Sequence, residues 1–222
     1  MPFEIEMAPP LRDRLFYFSG GDIARDSRFV WGGFVGALGG LLHEDGLRIR
    51  VMAGGGTYRY RTSAVPGGSN DGRIVSGEIL FGVRRTIGPA EFTAYLGAHA
   101  ESQLLALPDP GHRSQGTATG VKAAIELYTR LSPETFAVVT AAASTVHASY
   151  QLRGAFAREF SRDFAVGIET TAHGDARYVE PRIGAFAQIT HGRTVFTLAG
   201  GYLSNSEKGG GPYATLAVYA PY

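Results

Sequence analysis

LRIRVMAGGGTYRYR, residues 47–61, alternates apolar and charged residues, breaks on three glycines and then alternates tyrosine with arginine. Alternation with period two marks a β-strand, because successive side chains point to opposite faces. Before the glycines, Leu47, Ile49, Val51 and Ala53 form an apolar face with Arg48 and Arg50 opposite. After them the aromatics fall on even numbers, Tyr58 and Tyr60. This change of phase predicts one extra residue, a β-bulge, at Gly54, Gly55 and Gly56; the alternative is a flexible strand end. At about 3.3 Å per residue the run spans some 50 Å, beyond the roughly 25 Å apolar band of an outer-membrane barrel. Its second half is therefore expected to project past the membrane, with Tyr58 and Tyr60 in an outer interfacial girdle and Arg59 and Arg61 at the pore mouth or headgroups.

The same period recurs along the chain. Strands are expected at 15–21, 29–38, 47–61, 74–86, 90–104, 117–131, 135–146, 150–160, 164–173, 181–190, 194–202 and 212–222, after an N-terminal tail of residues 1–13. One class of connection is tight: IGP (87–89), SPE (132–134), SRD (161–163) and HGR (191–193). The other is longer and polar: GDIARDSR (21–28), TSAVPGGSNDGR (62–73), ALPDPGHRSQG (106–116), GDARYVE (174–180) and SNSEKGGG (204–211). An up-and-down meander with this alternation places short turns at one end and long loops at the other, as outer-membrane barrels do. GLLHEDG is long for a turn and HAS (147–149) short for a loop.

Which face is inside separates a membrane barrel from a soluble ligand-carrying one. Phe92, Ala94, Leu96, Ala98 and Ala100 oppose Thr93, Tyr95, Gly97, His99 and Glu101; Val121, Ala123, Ile125 and Leu127 oppose Lys122, Glu126, Tyr128 and Arg130. Three features favour lipid on the apolar face. About twelve strands enclose more space than one layer of side chains is expected to fill, no helix is available as a plug, and tyrosines crowd the strand ends. The last strand also carries Ala214, Leu216, Val218 and Ala220 on one face and ends on Tyr222, resembling the C-terminal signal that outer-membrane barrels present for assembly. The fold expected is thus one all-β, up-and-down antiparallel transmembrane barrel of about twelve strands, residues 14–222.

Composition supports this reading: 31 glycines, 13 Phe and 11 Tyr accompany only 18% charged residues. The net charge of +1 comes from scattered charges, so no nucleic-acid footprint is expected. The absence of cysteine excludes disulfides and thiolate metal sites, and no apolar run approaches the roughly 20 residues of a membrane-spanning helix. The opening MPFEIEMAPPLRDR lacks the basic and apolar regions of a secretory signal. If the protein is exported, this predicts a chain that starts after a removed signal or a misplaced start.

Hairpin counting brings Glu78, His99 and Lys122 into a row across three strands, with Glu126 on the same face and Glu169 near Arg182. Two readings stand: a charged constriction or acid/base site, and a lumen network in which charges pair because isolated ones are costly. The six histidines are dispersed without metal-ligand spacing, and no cofactor is expected. His147 with Ser149, and His99 near Ser102, lack an evident orienting group, which leaves an outer-membrane lipid or glycan hydrolase as an alternative. AGGGTYR lacks the lysine and following helix of a phosphate loop.

LFYFSGGD (15–22), GGGTYRYR (54–61), STVHASYQLRGAFA (144–157), TTAHGDARYVEPRIGAFA (170–187) and GGPYATLAVY (210–219) together resemble the cellulose biosynthesis protein BcsS family of alphaproteobacteria. The resemblance implies a bacterial envelope protein of cellulose, or exopolysaccharide, production and carries over no catalytic residues. Together with the barrel reading it leads to the expectation of a pore or scaffold in the outer membrane, with outer-membrane lipids, cellulose secretion components and the glucan chain as partners.

Overall fold

The computed structural model describes residues 13–112, 114–176, 178–206 and 209–222. The expected tail therefore lies outside the described residues except for Asp13. Twelve antiparallel strands follow in order: β1 (Leu15–Ala24), β2 (Ser27–Ala37), β3 (Gly46–Arg61), β4 (Ser69–Ile87), β5 (Ala90–Leu105), β6 (Gly116–Ser132), β7 (Thr135–Ser144), β8 (Tyr150–Ser161), β9 (Phe164–Gly174), β10 (Val179–His191), β11 (Thr194–Asn205) and β12 (Gly209–Pro221). Each pairs with its neighbours in sequence, and β12 returns to β1 through a ladder from Phe16↔Pro221 to Ala24↔Tyr213. The sheet closes on itself. Gly88 (φ 60°) and Gly192 (φ 64°) sit in two-residue turns, where the left-handed region that glycine tolerates is needed.

Leu96 is 60% exposed and Ile168 65%, whereas Lys122 is 5% and Glu169 8% exposed. The apolar face is therefore outside and the charged face inside, as a transmembrane barrel requires and a soluble one does not. Outward aromatics gather at the short-turn end. Tyr17 meets Phe34 and Tyr222 with ring centroids 6.4 and 6.1 Å apart, and Phe160 lies 6.2 Å from Phe164.

The expected bulge at Gly54, Gly55 and Gly56 is absent. β3 holds one register to β2, from Ser27↔Tyr58 to Ala37↔Arg48, and one to β4, from Gly46↔Arg84 to Arg61↔Ser69. Tyr58 and Tyr60 therefore share the inner face with Arg48 and Arg50, and Arg59 and Arg61 face outward. The apparent change of phase has another cause: past the apolar band the outer face no longer has to be apolar. There Arg59 pairs with Asp71 at 2.7 Å in the open. The glycines instead make room for Phe29. A Cβ on Gly54 would stand 2.9 Å from its ring, and one on Gly56 would also run into it. Register shifts occur elsewhere, next to the tight turns, between Arg130 and Ser132 and between Glu159 and Ser161.

The interior departs from expectation. Three adjoining groups of buried apolar side chains ring the barrel: one around Phe16, Trp31, Val35, Met52, Val195 and Tyr219, a second around Phe136, Val138, Ala157, Ala165 and Phe186, and a third of Leu80, Tyr95 and Ala124. Every strand contributes at least one member, and the larger ones, Phe16, Trp31, Tyr95, Phe136, Phe186 and Tyr219, project into the space that twelve strands were expected to leave open.

The long connection after β2 takes part in this packing. Leu42, 5% exposed, joins the first group. The Arg48 guanidinium, buried below it, donates to the carbonyls of Leu41 (3.3 Å), Leu42 (2.9 Å) and Glu44. Arg84 donates to the His43 carbonyl at 2.6 Å. The Thr86 amide donates to Asp45 at 2.8 Å and, with Arg85 nearby, holds that carboxyl below its ordinary range. GLLHEDG is long because it folds inward as a cap on the turn end of the lumen.

Replacing Arg48 with Met leaves these carbonyls without their donor, at about 1–3 kcal/mol for a buried group so stranded. Arg48→Met is expected to lower the urea midpoint of the detergent-folded barrel by a matching amount and to open residues 38–45 to protease. An unchanged midpoint with an intact loop would show that Arg48 does not hold the cap.

Candidate functional site

Two ion-pair networks occupy opposite walls of the lumen. On β3 to β6, Glu78 accepts from Arg50 Nε at 3.0 Å and pairs with the Lys122 ammonium, while Arg50 also pairs with Glu126. The Arg50 guanidinium lies 4.7 Å over the Tyr95 ring. Burial of these charges on an inward face, out of reach of bulk water, makes such pairing obligatory. Glu78, Lys122 and Glu126 meet as the alternation implied. Arg50, which joins them, carried the same signal on the polar face of β3.

The registers differ in detail from the counting. Counting from a turn centred on Gly88 places Glu78 opposite Ala98, and from a loop centred on Gly111 places His99 opposite about Ala123; in the structure Glu78 stands opposite His99 and His99 faces Gly120, with Lys122 opposite Gly97. The first turn is the two residues Gly88 and Pro89, which moves the β4–β5 pairing by one, and the β5–β6 pairing moves by three. Lys122 still reaches Glu78 because its stem is long enough to cross the intervening strand. His99 Nδ1 lies 2.9 Å from Ser144 Oγ, an oxygen that also accepts the Val146 amide at 3.1 Å. His99 Nε2 has no partner among the described residues. The Ser/His pair in the structure is thus Ser144 and His99, and no carboxylate orients the far side of the imidazole.

The second network lies on β1 and β8 to β12. Glu169 and Arg182, expected together, pair with different residues. Arg153 donates to Glu169 at 2.7 Å, while Arg182 holds Asp22 at 2.7 Å and Glu180 at 2.7 Å. Tyr213 links the two sets: its hydroxyl donates to Glu169 at 3.2 Å, and the Arg182 guanidinium lies 5.0 Å over its ring. Arg153, on β8 beside Glu169 on β9, lay within reach of hairpin counting but was not singled out; Asp22 lay beyond it, because it reaches Arg182 across β11 and β12 and the counting tested only adjacent strands.

Between the networks, toward the long-loop end, lies a cavity of about 330 Å³ whose floor includes Trp31, Thr197 and Ala217. Among the described residues, Asp22, Glu101, Glu169 and Asp175 line it, against Arg28, Lys122, Arg153 and Arg182, so their formal charges balance. Tyr58 stands at its rim and donates to Gln103 at 2.6 Å.

Tyr58 and Tyr60 are not girdle residues; they anchor the loop after β5. The Tyr60 hydroxyl donates to Asp109 at 2.9 Å, and the His112 ring packs 4.7 Å from the Tyr60 ring. Asn70 donates to the Leu107 carbonyl at 2.8 Å. Hydrogen bonds from Thr62, Tyr60 and the Gly111 amide hold the Asp109 carboxyl below its ordinary range. At the opposite end, Tyr222 is 80% exposed and its amide donates to the Leu15 carbonyl at 3.0 Å across the closing seam.

Residues 16–222 match the family described as "Cellulose biosynthesis protein BcsS". Two solved structures are similar in fold. "KdgM porin" superposes with a TM-score of 0.54 at 8% identity, over 93% of this chain and 99% of that one. "KdgM porin in complex with disordered oligogalacturonate" does so with 0.53 at 9% identity, over 93% and 99%. No curated protein matches the sequence.

Two outcomes are expected of this geometry. Glu78→Ala removes the carboxylate that pairs with Lys122 and Arg50 and should destabilise the barrel by about 3–5 kcal/mol, and adding Lys122→Met should recover part of that because Arg50 keeps Glu126. Equal losses in single and double variants, read from urea unfolding in detergent, would disprove the coupling. For Asp109, a depressed carboxyl contributes stability above its unfolded value, about 3.9, and loses it as pH falls through the depressed one. Pepsin nicking at residues 106–115 should therefore rise below about pH 4 in the parent, and Asp109→Asn should show the acid level at every pH; a pH-independent parent loop would disprove the tether.

Proposed function

The chain belongs to the cellulose biosynthesis protein BcsS family, and from that premise we propose that it is an accessory barrel of the bacterial outer membrane. In this reading it serves cellulose secretion as a scaffold open to the exterior through its long loops, not as the conduit for the glucan. One observation carries the choice: buried apolar side chains from all twelve strands line the lumen, in three groups. A glucan in transit needs a continuous polar bore, and here residues as large as Phe136, Phe186 and Trp31 stand in its place. The inward cap at residues 38–45 adds a second obstruction.

The apolar exterior supports outer-membrane lipids as its surroundings, and the exposed Tyr222 at the seam supports its reading as an assembly signal. Other components of cellulose secretion are the partners this role requires. No catalytic residue is proposed: Ser144 and His99 are both buried, and no carboxylate hydrogen-bonds the far nitrogen of His99 among the described residues.

Planar-bilayer recording tests the choice. The purified barrel is expected to insert without sustained conductance. A steady ohmic conductance from the unaltered protein would replace the scaffold with a pore, and Glu78→Ala or Lys122→Ala would then be expected to change its ion selectivity.

A further inference from the structure

The long-loop cavity has the chemistry of a binding site. Its volume falls within the roughly 300–1,000 Å³ of small-molecule clefts. Aromatic rings line it on several sides: Phe29, Trp31, Tyr58, Tyr150, Tyr178 and Tyr213. Carboxylates, guanidiniums and carboxamides stand between them.

Two donors of the lining residues lack partners. Trp31 Nε1 and Arg153 Nη1 have no hydrogen-bond acceptor among the described residues, although Trp31 is 7% and Arg153 4% exposed. Buried donors are ordinarily satisfied; these two atoms present almost no surface to the cavity, so a bound ligand gains them only when the side chains over them shift. Charge narrows the class. Among the described residues the cavity's acidic and basic side chains balance in number, and Arg153 and Arg182 are already engaged by Glu169 and Asp22. A polyanion would need a surplus of free cations, which the described lining residues do not offer. A neutral ligand with alternating apolar and hydroxyl surfaces fits: aromatic faces cover its C–H faces, and the planar polar groups exchange hydrogen bonds with its hydroxyls.

We infer that this cavity binds a short segment of neutral saccharide, of the chemistry of a β-linked glucan. The β-glucan identity rests on the cellulose function proposed above; the neutral-saccharide class rests on the cavity alone. Since apolar side chains lie beneath, the segment enters from the long-loop end and stops there.

Trp31 is the sole tryptophan of the chain, so its fluorescence reports on the cavity directly. The folded barrel in detergent is titrated with cellotetraose, maltotetraose and tetragalacturonate, with heat-modifiable gel mobility showing that each variant is folded. A saturable change with cellotetraose is expected, weakened about tenfold by Tyr178→Ala; Tyr150→Ala is the second variant if the first does not fold. An equal response to maltotetraose upholds the neutral-saccharide site while removing its tie to cellulose. A response confined to tetragalacturonate, no saturable response to any of the three, or cellotetraose binding untouched in both folded variants would overturn the inference.

Discussion

Hydrocarbon offers no hydrogen-bond partner to a backbone amide or carbonyl, so a sheet in a membrane has to close. The β1–β12 ladder meets that constraint, and the rest of the molecule follows from it. Once no edge remains, the outer face is free to be uniformly apolar, with Leu96 and Ile168 exposed in the band. The charged residues are then left to the inside, where each must find an opposite charge. The seam also sets the position of Tyr222, edge-on to Tyr17 beside the first strand.

Enclosure leaves the interior to apolar groups and ion pairs that interleave: Arg50 stands opposite Val35 and Leu80, and Glu78 opposite Met52. Toward the short turns, apolar side chains line the wall beneath a cap held by Arg48 and Arg84. Toward the long loops, charges pair across strands and leave a cavity between the two networks. The pairs are often not between neighbours: Arg50 on β3 reaches Glu126 on β6, and Arg182 on β10 reaches Asp22 on β1. Such chords tie distant strands to one another in addition to the ladders, and they fix the shape of the polar half. Tyr58 and Tyr60 extend this arrangement upward by holding the loop after β5 against the rim.

Period-two patterning made all twelve strands legible, because a strand half in lipid and half in a polar lumen must alternate. The same rule misread residues 54–61, where the strand has left the hydrocarbon and the reason for alternation is gone. The charged row around Glu78 was legible as far as ladder neighbours extend. Its β4–β5 pairing shifted by one residue because a two-residue turn and a three-residue turn have nearly the same sequence signature. Partners three strands away, Arg50 with Glu126 or Asp22 with Arg182, leave no trace in local spacing.

Sequence alone thus determined the strand count, the meander, the lipid-facing side and the membership in a family, since these depend on local alternation and on turns between neighbours. Only the tertiary structure decided that apolar side chains from every strand project into the lumen, that Tyr58 and Tyr60 turn inward, and which charge meets which. The physical reason is that these features depend on the distance between walls facing each other across a closed ring. That distance is set by closure of the whole sheet, and no segment of the chain encodes it.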